Sequence, residues 1–98
     1  MGAGKDNDAR RILVVDDEEH IRRILKFQLE KNDYVVITAE NGEEALKIVR
    51  RSMPDLILLD LMMPKIDGFE VCRQLRADFQ TSQIPIIMLT AKSDLPDK

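Results

Sequence analysis

Leu56-Ile57-Leu58-Leu59-Asp60-Leu61-Met62-Met63-Pro64-Lys65-Ile66-Asp67-Gly68 is the stretch on which the fold of this chain turns. Leu56 to Leu59 is an unbroken apolar run. No polar residue alternates with it, so it reads as a strand buried on both faces, the kind found in parallel sheets. Asp60 stands at its end. Pro64 and the Asp67-Gly68 pair then force the chain to turn. A carboxylate held where a buried parallel strand stops is placed where α/β folds bind their ligands.

A second stretch of the same kind supports the first. Ile12-Leu13-Val14-Val15 is a short apolar run that ends in Asp16-Asp17. Neighbouring strands lie only about 5 Å apart, so two acid-tipped strands can converge on one site. Three carboxylates that close repel one another, and a hard divalent cation relieves the repulsion. Mg2+ suits best, because it takes one or two carboxylates and keeps waters and a phosphate oxygen. Either stretch alone reads equally well as ordinary capping and turn acids.

Working outward, the strands alternate with helical patterns. Arg11 to Val15 is the first strand. Ile21, Ile24, Leu25 and Leu29 then recur at helical spacing, ending at Asn32-Asp33. Tyr34 to Thr38 is a β-branched second strand. Asn41, with Glu44 three residues on, opens a second helix carrying Ala45, Leu46, Ile48 and Val49, and Ser52-Met53-Pro54 stops it. Asp67 caps a third helix to about Ala77, with Phe69, Val71, Cys72 and Leu75 as its apolar stripe. Asp78 to Gln83 is a polar loop. Ile84 to Leu89 is the fourth strand, with Pro85 tolerated at its start, and it ends at Thr90. This strand-helix alternation implies an α/β fold with a parallel sheet.

Bulk properties exclude several classes. The chain has 98 residues, enough for one domain and one core. Met1 to Arg10 is small, charged and without period, so residues 1–10 read as a flexible lead and 11–98 as the domain. The net charge of −3 offers no basic footprint for direct binding of nucleic acid. The longest apolar run is too short to span a membrane, and no secretory signal pattern is present. A single cysteine, Cys72, rules out an internal disulfide and fits a reducing, cytoplasmic setting. Cys72 falls on the apolar stripe and reads as a small core residue. His20 reads as a solvated surface residue.

Several of these pieces, in order and each at a strand end, resemble the receiver domain of bacterial two-component response regulators. They are Leu13-Val14-Val15-Asp16-Asp17-Glu18, Asp60-Leu61-Met62-Met63-Pro64 with Asp67-Gly68, and Ile87-Met88-Leu89-Thr90-Ala91. Ala39-Glu40-Asn41-Gly42 with Ala45-Leu46 also fits. The resemblance runs from about Arg11 to Ser93. It implies a flavodoxin-like doubly wound parallel sheet in the order 2-1-3-4. It implies that Asp60 receives a phosphoryl group from a histidine kinase or phosphotransfer protein. Asp16, Asp17, Asp60 and the backbone carbonyl of Met62 would hold Mg2+. Thr90 would contact the phosphoryl group and act as the switch. The implied role is a phosphoacceptor in signal transduction, not an enzyme.

The family pattern continues with a further helix, a fifth strand bearing a lysine, and a final helix. The sequence ends before them, so it reads as a truncated receiver. Neither Lys65 nor Lys92 matches the lysine position. Two alternatives follow. A Mg2+-dependent phosphatase or nuclease often places two acids one residue apart in a single loop, whereas Asp16 and Asp17 are adjacent and Asp60 follows another strand. A truncated receiver without chemistry would act as an interaction or self-associating module. The bared sheet face and edge lead to an expected homo-oligomer. Apolar surface is expected from Ile12 or Val14, Leu56 or Leu58, and Ile86 or Met88.

Overall fold

A computed structural model describes residues 9–61, 63 and 66–89. Four strands and three helices alternate along the chain. They are β1 (Arg11–Val15), α1 (Glu19–Lys31), β2 (Val35–Ala39), α2 (Gly42–Ser52), β3 (Leu56–Asp60), α3 (Gly68–Ala77) and β4 (Ile86–Leu89). All strand pairs are parallel, and the order is β2-β1-β3-β4. Each boundary lies within about two residues of its sequence expectation. β2 begins one residue later than expected, and β4 begins after Pro85, which cannot donate to the ladder.

The two faces of the sheet are unequal. Leu13, Val15, Ala39, Ile57 and Leu59 point to the face covered by α2 and α3, where they pack with Ala45, Leu46, Val49, Val71, Leu75 and Ile84. The other face carries Ile12, Val14 and Val36, packed against Leu25 and Leu29 of α1. α1 buries no residue completely, because it lies over β1 and β2 and leaves β3 and β4 beside it. Leu56 and Leu58 are therefore only half-buried, and among the described residues the helices seal β3 on one face instead of two. The pairing of Leu58 with Ile87 puts Ile87 on this open face, 51% exposed. That corrects the expectation of Ile86 or Met88. Side chains alternate along a strand, so a shift of one residue exchanges the faces.

Local chemistry accounts for the helix ends. The Asn41 side chain accepts from the Glu44 N–H at 2.9 Å, and the Glu44 carboxylate accepts from the Glu40 N–H at 2.9 Å. This is a capping box that reaches one residue further back than usual. α2 stops at Met53, which adopts the left-handed conformation at φ 47° and donates its N–H to the Val49 carbonyl. The Asp67 side chain caps α3 by accepting from the Glu70 N–H. Phe69 is 64% exposed, so it lies outside the stripe formed by Val71 and Leu75. The polar loop after α3 hides a buried residue: the Thr81 hydroxyl donates to the Leu75 carbonyl at 2.7 Å and closes the helix end.

Candidate metal and phosphoryl site

The register of the two central strands builds the site. Val15 pairs with Leu59, so the next residues, Asp16 and Asp60, lie side by side at the carboxyl ends of β1 and β3. Both are almost wholly buried, at 3% and 2% exposure, while Asp17 is exposed. One carboxylate oxygen from each of Asp16, Asp17 and Asp60 lies within 4.8 Å of the other two. The sequence expectation of convergence is met for these three residues. Met62 and Thr90, the other expected members, lie outside the described residues.

Asp16 is fixed at three points. Its N–H donates to the Ala39 carbonyl at 3.2 Å, which ties the loop after β1 to the end of β2. Its Oδ1 accepts from the Glu18 N–H at 2.9 Å, an Asx turn that starts the chain toward α1. Its carbonyl accepts from Nη1 of Arg22 at 2.7 Å. Nη2 of the same guanidinium lies 4.0 Å from Glu40, and the Arg22 side chain is only 16% exposed. Sequence reading missed Arg22, since a partner that is a backbone carbonyl leaves no mark in the residue pattern.

Asp60 is held by the packing of α3 against its strand end. The Gly68 N–H donates to the Leu61 carbonyl at 3.1 Å. A Cβ at Gly68 would stand 2.6 Å from the Asp60 carbonyl oxygen and 2.7 Å from Leu61 Cα. Only glycine lets the helix start this close to the strand. The tight turn that the Asp67-Gly68 pair announces thus sets how the acid is presented.

The donor set fits Mg2+. All three side chains offer hard oxygens, they approach from two strand ends, and Asp17 opens the cluster to solvent. Such an arrangement leaves room for waters and phosphoryl oxygens, as Mg2+ requires. Among the described residues it offers no nitrogen or sulfur ligand for a softer metal. An open cleft along β2 and α2, lined by Ile37, Asn41, Lys47, Ile48 and Arg51, contains none of these acids.

Residues 12–98 match the family model of the response regulator receiver domain. The chain belongs to the family of response regulator receiver domains, signalling domains of the flavodoxin-like type. The alkaline phosphatase synthesis transcriptional regulatory protein PhoP of Bacillus subtilis is 56% identical over 89 residues, covering 91% of this chain and 36% of that protein. The chain thus spans little more than a third of this relative. Two solved structures are also similar. The N-terminal domain of a response regulator receiver protein from Methanoculleus marisnigri has a TM-score of 0.81 at 45% identity, covering 84% of this chain and 67% of that one. TrrA of Thermotoga maritima, solved in complex with Mg2+-BeF, has a TM-score of 0.78 at 48% identity, covering 88% and 76%.

Proposed function

We propose that Asp60 is the phosphoacceptor of this receiver domain, taking a phosphoryl group from a histidine kinase or phosphotransfer protein. The observation that carries this reading is the meeting of Asp16, Asp17 and Asp60 at the ends of β1 and β3. In the step itself, a carboxylate oxygen of Asp60 bonds to phosphorus while the P–N bond of the donor phosphohistidine breaks. The electron pair leaves with the imidazole nitrogen. A carboxylate is a weak nucleophile, so alignment and charge neutralisation dominate the barrier. Mg2+, when bound, supplies orientation and positive charge for the transferring oxygens. Asp16, Asp17, Asp60 and the Met62 carbonyl would hold it. The hydroxyl of Thr90 would bond the new phosphoryl group and carry the change to the rest of the fold.

Phosphoramidate, a small P–N donor, tests this function. Phosphorus NMR of the chain with donor and Mg2+ is expected to give an acyl-phosphate signal that hydroxylamine removes. The Asp60→Asn variant is expected to give none. The metal reading has its own check in Asp17→Asn, for which Mg2+ binding should weaken by roughly tenfold, while loss of a like charge stabilises the metal-free fold. Equal Mg2+ affinity in the two chains would count against the site.

We further infer self-association through the open sheet face, and a cytoplasmic setting without direct contact to nucleic acid. The half-buried Leu56 and Leu58 beside exposed Ile87, which pairs with Leu58, support the first. The single cysteine and the net charge of −3 support the others. No helix among the described residues is long and apolar enough to cross a membrane.

A further inference from the structure

We propose that Arg22 is a positioning residue for the acid cluster: it fixes the Asp16–Asp17 peptide and so sets the affinity for Mg2+. The inference rests on the metal reading given above. Arg22 stands on α1, six residues beyond Asp16, and its Nη1 donates to the Asp16 carbonyl at 2.7 Å. That carbonyl belongs to the peptide linking the buried acid, Asp16, to the exposed one, Asp17. Rotation of this peptide would leave Asp16 on its strand end but swing Asp17 away from Asp60. The Asp16 N–H and Oδ1 are held by Ala39 and Glu18, on the other side of the Asp16 Cα or through its side chain. The Asx turn to Glu18 spans the Asp16–Asp17 peptide but does not engage its carbonyl, and the bond that Arg22 adds there fixes the orientation of that peptide.

The same guanidinium approaches Glu40, in the loop after β2, at 4.0 Å. Glu40 in turn donates its N–H to the capping carboxylate Glu44. Arg22 thus spans two loops at the carboxyl edge of the sheet. Its planar fork can address two acceptors at once, which an ammonium cannot. With a side chain only 16% exposed, the bond to Asp16 is shielded from competing water. The Glu40 side chain is 65% exposed, so its share is small.

Charge and position make opposite demands, and this gives a test. A cation near the cluster repels Mg2+, so if charge were its main effect, removing it would tighten binding. If position is the main effect, removal weakens binding, typically by about tenfold or more for a residue that orients a metal ligand. The experiment is a Mg2+ titration of the 98-residue chain followed by amide NMR shifts, with far-UV circular dichroism to establish folding. Arg22→Met is expected to raise the dissociation constant about tenfold. Arg22→Lys, which keeps the charge and loses the fork, should raise it less. Glu40→Gln should leave it nearly unchanged. The Asp17 and Glu18 amide signals should broaden in Arg22→Met before Mg2+ is added, which a loss of global stability alone would not produce. Should Arg22→Met fail to fold, Arg22→Lys decides: affinity equal to the parent overturns the inference. Unchanged or tighter Mg2+ binding by folded Arg22→Met also overturns it. A parent chain that binds no Mg2+ overturns the metal reading itself, and this inference with it.

Discussion

Asp16 and Asp60 are acids that the fold takes almost entirely out of water, at 3% and 2% exposure. Glu70 shows the opposite situation. It sits on the first turn of α3, 38% exposed, and its carboxyl is lowered to about 2 by hydrogen bonds from Arg73 and then Gln74. A lowered folded-state value means the pair stabilises the protein above the ordinary carboxylate value of 4.5 and is lost as pH falls toward 2. Solvent screens a pair this exposed, so its contribution is modest. Urea midpoints measured from neutral to acid pH should fall less steeply across that window in Glu70→Gln than in the parent. Identical slopes would show that the pair adds nothing. The acids of the cluster were legible in the sequence because each ends an apolar run. Arg22 was not, because it acts through a backbone carbonyl, and Thr81 was not, because a polar residue in an aperiodic loop carries no sign that it folds under α3.

β3 carries Asp60, and Gly68 is where the start of α3 packs against that strand end. Two effects of Gly68→Ala compete. Helix propensity favours alanine by about 1 kcal/mol. The added Cβ meets backbone atoms at 2.6 and 2.7 Å, which cannot swing aside as a side chain would, and overpacking of this kind costs about 1–3 kcal/mol. The contact should win, so Gly68→Ala is expected to lower the urea midpoint. A raised midpoint would mean that propensity dominates and the helix has room to move. Element types and their order were readable from periodicity, since two kinds of spacing alternate cleanly along the chain. Faces were less so. Phe69 is expected with the stripe yet is 64% exposed, because Val71 and Leu75 point inward and Phe69, two residues before Val71, falls on the opposite side of the helix. Register, which no single strand encodes, assigned Ile87 to the open face.

At the scale of the whole molecule the sheet is covered unequally. Arg22 of α1 approaches Glu40 beyond β2, so that flank of the helix is turned to β2. Ile24 lies about 160° round the helix from Arg22, at 3.6 residues per turn, on the opposite flank. Ile87, 51% exposed, pairs with half-buried Leu58 on the open face, and Ile24 on the far flank of α1 is 54% exposed. Apolar surface of this kind favours a partner, and a second copy of the chain offers a matching one. Light scattering over a dilution series should show association that Ile87→Lys weakens. A half-exposed strand residue at the sheet edge tolerates lysine, so stability should change by only about 0.5 kcal/mol. A parent chain that remains a monomer at every concentration would refute the association.

That Asp60 is the acceptor can be tested most directly by treating the chain with acetyl phosphate and Mg2+ and locating the product. The acyl phosphate is trapped by reduction, and peptides are sequenced by mass spectrometry. The expected result is modification at Asp60 alone, lost when Mg2+ is chelated and lost in Asp60→Asn. Modification at another residue, or modification of Asp60 that persists undiminished without Mg2+, would contradict the assignment of this site.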